Sequence, residues 1–269
     1  MAVDWTNYSS WDLVLPPNRP GEALLREIRI ALSIKGDLRE VCILGSTPEY
    51  RRICKDLCIP NVVIIDKFPE FSDMCDRLTP HNPRESKIIQ DWVTALPRFC
   101  GKFDVVLSHL THGNVPFHAR RELFGLIRNC LVPGGLLIDF VFQPPPPGNS
   151  PETIMRHFRG RPPNLRTCND FNSIALFQSA MIGSLGCVDT SAIYGMLDAS
   201  IDDETSIIVK ATKKITPPGH TWYYAFDKPP PCYGYFEGYE VVSELPEPQH
   251  SPFCNAATLY FLRKSAERR

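Results

Sequence analysis

Five short apolar runs, each closing on a glycine or a polar residue, constrain this chain more than any other feature. They are Val41-Cys42-Ile43-Leu44 before Gly45, Val62-Val63-Ile64-Ile65 before Asp66, Ser86 to Gln90 before Asp91-Trp92, Phe103 to Leu107 before Ser108-His109, and Leu136 to Val141 ending near Gln143. Helical stretches lie between and before them. Leu24, Leu25, Ile28, Ala31 and Leu32 recur at helical spacing over 22–34, and Gly36-Asp37 closes that helix. Further helices are predicted over 51–58 and 116–130, the latter ending in the stop-and-turn signal Leu131-Val132-Pro133-Gly134-Gly135. Short strands without a polar face, alternating with helices, specify βαβ units and a parallel sheet covered on both sides. Right-handed crossovers then fix the hand.

The rhythm stops at proline. The chain has 26 prolines in 269 residues, about twice the usual share, yet 43% hydrophobic and 10% aromatic residues argue for a sizeable core rather than a disordered chain. Pro16-Pro17 and Pro20 end an N-terminal arm. Pro144 to Pro147 and Pro229 to Pro231 bracket a segment without βαβ pattern. We read 144–231 as a cap insertion in a core formed by 1–143 and 232–269. Within the cap, 169–185 has helical periodicity, and Ser206 to Val209 fits a strand or the centre of a helix. Two last strands, 239–243 and 258–263, are expected to form an antiparallel edge hairpin.

Charge and cysteine usage narrow the class. With 29 basic and 30 acidic residues there is no excess to neutralise a phosphate backbone, so nucleic acid is not expected as the main partner. No apolar run spans a bilayer, and the N-terminal residues lack the charged and apolar regions of a secretory signal, so a cytoplasmic protein without membrane attachment is expected. The ten cysteines form no C-x-x-C pair and no zinc spacing; they read as free, mostly buried thiols in a reducing compartment, and no metal site is expected.

In an open α/β sheet, ligands sit beyond the carboxyl ends of the strands. Gly45-Ser46-Thr47 follows the first strand and opens a helix, where a glycine admits close backbone approach. Asp66, 21 residues later, is placed to bond the two hydroxyls of a ribose. Asp91 and Trp92 suit an exocyclic amine and a stacked base. Taken singly, such an acid is more often a turn cap and such an indole more often core; three in order at successive strand ends predict a nucleoside site. A single glycine in place of G-x-G-x-x-G disfavours a pyrophosphate cradle, so a phosphate-free nucleoside such as S-adenosylmethionine is expected.

The stretch from about Trp11 to Phe142 resembles class I S-adenosylmethionine-dependent methyltransferases, in particular a small-molecule branch whose first motif reads Leu-Gly-x-Thr-Pro-Glu. Leu44-Gly45-Ser46-Thr47-Pro48-Glu49, Ile65-Asp66, Gln90-Asp91-Trp92, Phe103 to Ser108 and Leu131 to Gly135 carry the likeness, with Trp11 and Asn18-Arg19-Pro20 upstream. The resemblance implies a Rossmann-like, doubly wound, mostly parallel seven-stranded sheet with an antiparallel last strand. It implies that Gly45, Ser46 and Thr47 border the methionine part of the cofactor, that Asp66 with Lys67 beside it holds the ribose, and that Asp91 and Trp92 flank adenine. Ser108, His109 and Leu110 would lie near the sulfonium, and Trp11 and Arg19 would close the site from the arm. The acid common two residues before the first glycine is Ile43 here, so the amino-acid end of the cofactor lacks its usual anchor.

Methyl transfer needs alignment and exclusion of water, and a base only where the acceptor must lose a proton. His109 and His112 are the candidates, and each reads equally as a loop histidine bonded to backbone. A small-molecule acceptor would be walled by the cap: Phe171 and Gln178 on its helix, and Trp222, Tyr223 and Tyr224 at the start of an aromatic run extending to Tyr239. The basic cluster Arg156, His157, Arg159, Arg161 and Arg166 reads as a solvated face or as an attractor of anionic acceptors. Two other readings stand beside this one: a non-catalytic binding protein that keeps the fold, and an NAD-dependent oxidoreductase.

Overall fold

The computed structural model describes residues 19–79, 81–142, 150–177, 187–199, 202–216, 218–219, 221–223, 236–246 and 257–265. Trp11, Gln178 and Tyr224 lie outside them, as does most of the aromatic run after Tyr223.

The chain opens with α1 (Glu22–Lys35), β1 (Glu40–Leu44), α2 (Pro48–Asp56), β2 (Asn61–Asp66), α3 (Pro69–Leu78) and β3 (Glu85–Ile89). It continues through α4 (Trp92–Ala95), β4 (Phe103–His109), α5 (Phe117–Cys130) and β5 (Leu131–Phe142). Then follow α6 (Pro151–Phe158), α7 (Leu165–Phe177), β6 (Cys187–Asp189), α8 (Thr190–Ala199), α9 (Asp203–Ile215), β7 (Thr221–Tyr223), β8 (Tyr239–Pro246) and β9 (Ala257–Lys264).

Seven strands form one sheet in the order β3-β2-β1-β4-β5-β9-β8. Neighbours from β3 to β5 are parallel, and β9 runs antiparallel to both β5 and β8. The expected α/β architecture with its antiparallel last strand is therefore the observed one. The expected terminal hairpin also forms, with β9 inserted inside the sheet and β8 at the edge.

Period-two alternation sends the central strands into two cores. On β1, Val41 and Ile43 join the core under α1 and α2, whereas Cys42 and Leu44 join the one under α4 and α5. Leu24, Ile28 and Leu32 of α1 recur four apart and are buried. Burying one such side chain contributes about 1.5–3 kcal/mol. Gly36 ends α1 in the left-handed region, φ 74°.

The described residues between 150 and 216 do not stand apart from this packing. Ile154, Phe158, Phe171, Ile174, Ile193 and Leu197 belong to the same core as Val41 and Ile43. Ser206 to Val209 lies within α9, which Asp202 caps by accepting the Thr205 N–H at 2.9 Å. The turn signal at 133–135 produces a bulge rather than a break: β5 pairs Phe103 with Leu131, then resumes with Val105 against Leu136.

Cys42, Cys54, Cys75, Cys130 and Cys168 are buried and Cys58 and Cys100 exposed, all of them unbridged. No helix among the described residues is long and apolar enough to cross a membrane.

Candidate functional site

Strand order reverses between β1 and β4, which opens a crevice at their carboxyl ends. Gly45 sits at its base with φ +85°, and a Cβ added there would meet nothing within 4 Å. The left-handed turn is what lets β1 end while its last N–H still bonds: Gly45 N donates to Ile65 O at 2.8 Å. Ser46 and Thr47 follow, both buried, and Thr47 is the N-cap of α2.

Asp66 ends β2 and is 4% exposed. Its Oδ1 accepts the Phe68 N–H at 3.0 Å. Burial pushes the carboxyl above its ordinary range; the N–H of Phe68, the hydroxyl and N–H of Ser46 and the charge of Lys67 pull it part of the way back. The Asp66–Ser46 proximity joins the first two strand ends into one surface. Lys67 is exposed, its ammonium 5.0 Å from the centre of the Phe68 ring.

At the third strand end, Asp91 caps α4: its Oδ1 accepts the Val93 N–H at 3.0 Å. Both strand-end acids thus brace the turn that follows them, and a carboxylate has lone pairs beyond the one each cap uses. Trp92 is half-buried, and its Nε1 donates to Ile65 O at 2.8 Å. The indole is thereby tied to the strand that carries Asp66.

Two residues of this surface carry no signal by residue type alone. Phe68 is 45% exposed and Ile89, paired in register with Asp66, is 49% exposed. Apolar side chains left open on either side of a buried carboxyl offer contact to a flat ring. Their position directly beyond Asp66 and at the end of β3 is the signal that finds them.

At the end of β4, Ser108 is buried and His109 half-buried. The His109 ring stacks on Phe140 of β5 with centroids 4.9 Å apart, and meets Tyr50 of α2 edge-on at 6.0 Å. That contact brings the first turn of α2 against the end of β4. Leu110 then adopts φ 54°, rare for a leucine, while its N–H bonds Phe140 O at 2.8 Å. His112 lies in the short 3-10 segment Thr111–Asn114.

Behind this loop is a cluster that sequence reasoning missed. Asp139 of β5 pairs in register with Ser108, and both are buried. Arg120 of α5 is fully buried, its Nε donating to Val115 O at 3.0 Å and its guanidinium 4.4 Å from the centre of the Phe117 ring. Burial raises the Asp139 carboxyl to about 7 against the pull of the Ser108 hydroxyl and the Arg120 charge. Two signals point to it. Asp139 interrupts an apolar strand, and Arg120 shares the α5 face of Leu123, Phe124 and Ile127.

From the arm, Arg19 reaches α2: its Nε lies 3.2 Å from Oε1 of Glu49, with side chains 22% and 6% exposed. In the segment expected to be a cap, Phe171 does not wall an open acceptor pocket: it is fully buried in the core shared with the sheet, its ring 5.0 Å from that of Phe158. Trp222 and Tyr223 form β7, which pairs with β6. The cap's basic cluster is partly neutralised from within, Arg159 by Asp202 at 2.6 Å and Arg161 by Asp170 at 2.8 Å.

No protein-family model matches the chain, and no curated protein matches its sequence. Solved structures do match its fold. The N-methyltransferase NodS from Bradyrhizobium japonicum WM9, in complex with S-adenosyl-L-homocysteine, superposes with a TM-score of 0.52 at 12% identity, covering 97% of this chain and 95% of that one. A protein described as an S-adenosylmethionine dependent methyltransferase from Listeria monocytogenes gives 0.52 at 11% identity over 91% of this chain and all of that one (100%). One described as a Zn-dependent alcohol dehydrogenase from Rhodobacter sphaeroides gives 0.53 at 13% identity over 96% and 97%. At these identities the likeness establishes the fold alone: a Rossmann-like, mostly parallel seven-stranded sheet.

Proposed function

We propose that this protein is an S-adenosylmethionine-dependent methyltransferase acting on a small-molecule acceptor. The observation that carries the reading is the surface joined through Ile65 and Ser46: the left-handed Gly45 with open space above its Cα, the buried Asp66 carboxyl, and Trp92 held beside it. Asp66 accepts from the ribose hydroxyls. Phe68, Ile89 and Trp92 supply apolar contact to the base, with Asp91 at its edge and Lys67 beside the ribose. Ser46 and Thr47 border the methionine chain.

When bound, the cofactor supplies an activated methyl group for in-line displacement. The chain's own part is to align the acceptor and keep water out. Ser108, His109 and Leu110 line the approach from β4. His109, its ring fixed between Phe140 and Tyr50, takes the acceptor's proton where one must leave, and His112 stands next in the same loop. Gln178, Trp222, Tyr223 and Tyr224 of the cap and Trp11 of the arm set acceptor choice and closure, whereas Phe171, fully buried against Phe158, packs the core. Free, mostly buried thiols suit a reducing compartment such as the cytoplasm.

The likeness to a structure described as a dehydrogenase favours a second reading, a nicotinamide-dependent oxidoreductase. Calorimetric titration separates the two. S-adenosylmethionine and S-adenosylhomocysteine are expected to bind, with at least tenfold weaker binding in Asp66→Ala; saturable NAD binding without either would overturn the proposal. Binding without methyl transfer to any acceptor tried would mark a non-catalytic binding protein.

A further inference from the structure

The structure points to a displaced anchor for the amino-acid end of the cofactor: we propose that Glu49 and Arg19 hold its ammonium and carboxylate respectively. The inference rests on the methyltransferase reading above and goes beyond it in naming Glu49.

S-adenosylmethionine ends in a zwitterion, and a site that holds it out of bulk water needs one anion and one cation near each other. The strand position that could supply the anion from below, two residues before Gly45, is Ile43, fully buried in the core under α1 and α2. The acid moves instead to the other side of the loop. Glu49 stands in the first turn of α2, four residues after Gly45, and its neighbour Tyr50 meets His109 at the end of β4. The turn that carries Glu49 thus follows the Gly45 loop and packs against the end of β4 through Tyr50, while Glu49 itself faces α1. Arg19, just before α1, brings the cation, at 3.2 Å from Glu49.

The pair lines a cleft of about 240 Å³ between α1 and α2, together with Glu22, Arg26, Arg29 and Arg52. Adding an ammonium on the Glu49 side and a carboxylate on the Arg19 side sets each end of the incoming group against an opposite charge, with Arg26, Arg29 and Arg52 favouring the carboxylate from the same cleft. That arrangement leaves the existing ion pair in place and neutralises both ends of the incoming group.

A purely structural role, stapling α1 to α2, uses the same contact, so the test must separate the two. Three probes share the nucleoside and the sulfur: S-adenosylhomocysteine has the whole amino acid, S-adenosyl-3-thiopropylamine lacks the carboxylate, and 5′-methylthioadenosine lacks both groups. Calorimetry on the full chain is expected to show S-adenosylhomocysteine binding at least tenfold tighter than 5′-methylthioadenosine. Glu49→Gln should weaken both amine-bearing probes about tenfold, and Arg19→Met should weaken S-adenosylhomocysteine alone; 5′-methylthioadenosine should bind unchanged to both variants, which also reports that they fold. The swapped double variant R19E/E49R restores the ion pair with its polarity reversed. It should recover the melting temperature but not the preference for S-adenosylhomocysteine.

Recovery of that preference by the swap, or equal wild-type affinity for S-adenosylhomocysteine and 5′-methylthioadenosine, overturns the anchor while leaving the nucleoside site standing. Failure of all three probes to bind wild-type protein overturns the methyltransferase reading itself.

Discussion

The indole of Trp92 donates to the carbonyl of Ile65 at 2.8 Å, and that same oxygen accepts the N–H of Gly45 at 2.8 Å. One backbone oxygen at the end of β2 thus sets the position of both the β1 turn and the aromatic at the third strand end. Trp92→Phe removes one of its two donors and keeps a ring. The oxygen stays bonded, so the cost should be at the low end for a hydrogen bond, about 0.5–1 kcal/mol. Trp92→Ala also removes packing against the α4–α5 core; because the residue is half-buried, the loss should be roughly 2–3 kcal/mol, below that of a fully buried aromatic. Urea unfolding checks both. Because only the second variant loses the ring that stacks, S-adenosylhomocysteine affinity should fall less than about threefold in the first and about tenfold or more in the second.

Two glycines separate backbone cost from site cost. Gly45→Ala places a methyl in open space at φ +85°, so its penalty is conformational, about 1–2 kcal/mol. The methyl also occupies the face a ligand would approach, and nucleoside affinity should fall with it. Gly135→Ala would set a Cβ 2.9 Å from Val132 O within the β5 bulge, forcing the backbone apart at a cost of about 1–3 kcal/mol. Its nucleoside affinity should stay at the wild-type value. Denaturation midpoints and titrations of the two proteins give the comparison.

The contrast between those sites shows what the sequence could and could not convey. Strands β1, β2 and β4 are apolar on both faces because helices cover both sides of a parallel sheet, so their ends, and with them Gly45, Asp66 and Ser108, were legible from hydrophobic runs alone. The same logic hides Asp139. A carboxyl inside an apolar strand reads as an irregularity until Arg120, nineteen positions earlier, is placed on the buried face of α5. Phe68 and Ile89 were opaque for the opposite reason: an apolar residue is expected to be buried, and only the tertiary fold leaves these two open beside Asp66. Glu49 was visible as part of Thr47-Pro48-Glu49, but its pairing with Arg19 depends on how α1 packs on α2. The segment after Phe142 was the least regular part of the pattern, because its helices bury their apolar faces in a core shared with the sheet instead of alternating with strands.

One buried ion network should be sensitive to the loss of a single partner. Arg51 reaches Oε2 of Glu85 with two nitrogens, Nε at 3.1 Å and Nη2 at 2.7 Å, and Oδ1 of Asp76 with Nη1 at 2.9 Å. Arg51 and Glu85 have buried side chains, whereas Asp76 is over a third exposed and also pairs with Lys87. Arg51→Met leaves the Glu85 carboxylate buried without its cation and should cost about 3–5 kcal/mol. Asp76→Asn breaks the solvent-facing arm and should cost at most about 1 kcal/mol. The double variant Arg51→Met/Glu85→Met removes both buried charges and should recover part of the loss. A gradual decline shared equally among the three proteins in thermal melts would contradict this ordering.

The Asp139 carboxyl makes stability depend on pH in a direction opposite to that of a salt-bridged acid. Burial raises it to about 7 in the folded chain, whereas an unfolded aspartate titrates near 3.9. Between roughly pH 4 and pH 7 the folded state therefore holds a proton that the unfolded state has released. With more protons bound in the native state, the free energy of unfolding falls as pH rises through this window and levels off above it. The gap between the folded and unfolded values bounds the change at about 4 kcal/mol. Asp139→Asn carries no such proton, so its stability relative to wild type should increase steadily from pH 4 to pH 7 and then stay constant. Urea unfolding of both proteins at several pH values measures the difference directly and cancels the other titrating groups they share. Arg120→Met takes away a positive charge that pulls the carboxyl down, and should carry the upper edge of the window above pH 7. A difference between Asp139→Asn and wild type that does not change with pH would mean that the carboxyl is already ionised in the fold at pH 4.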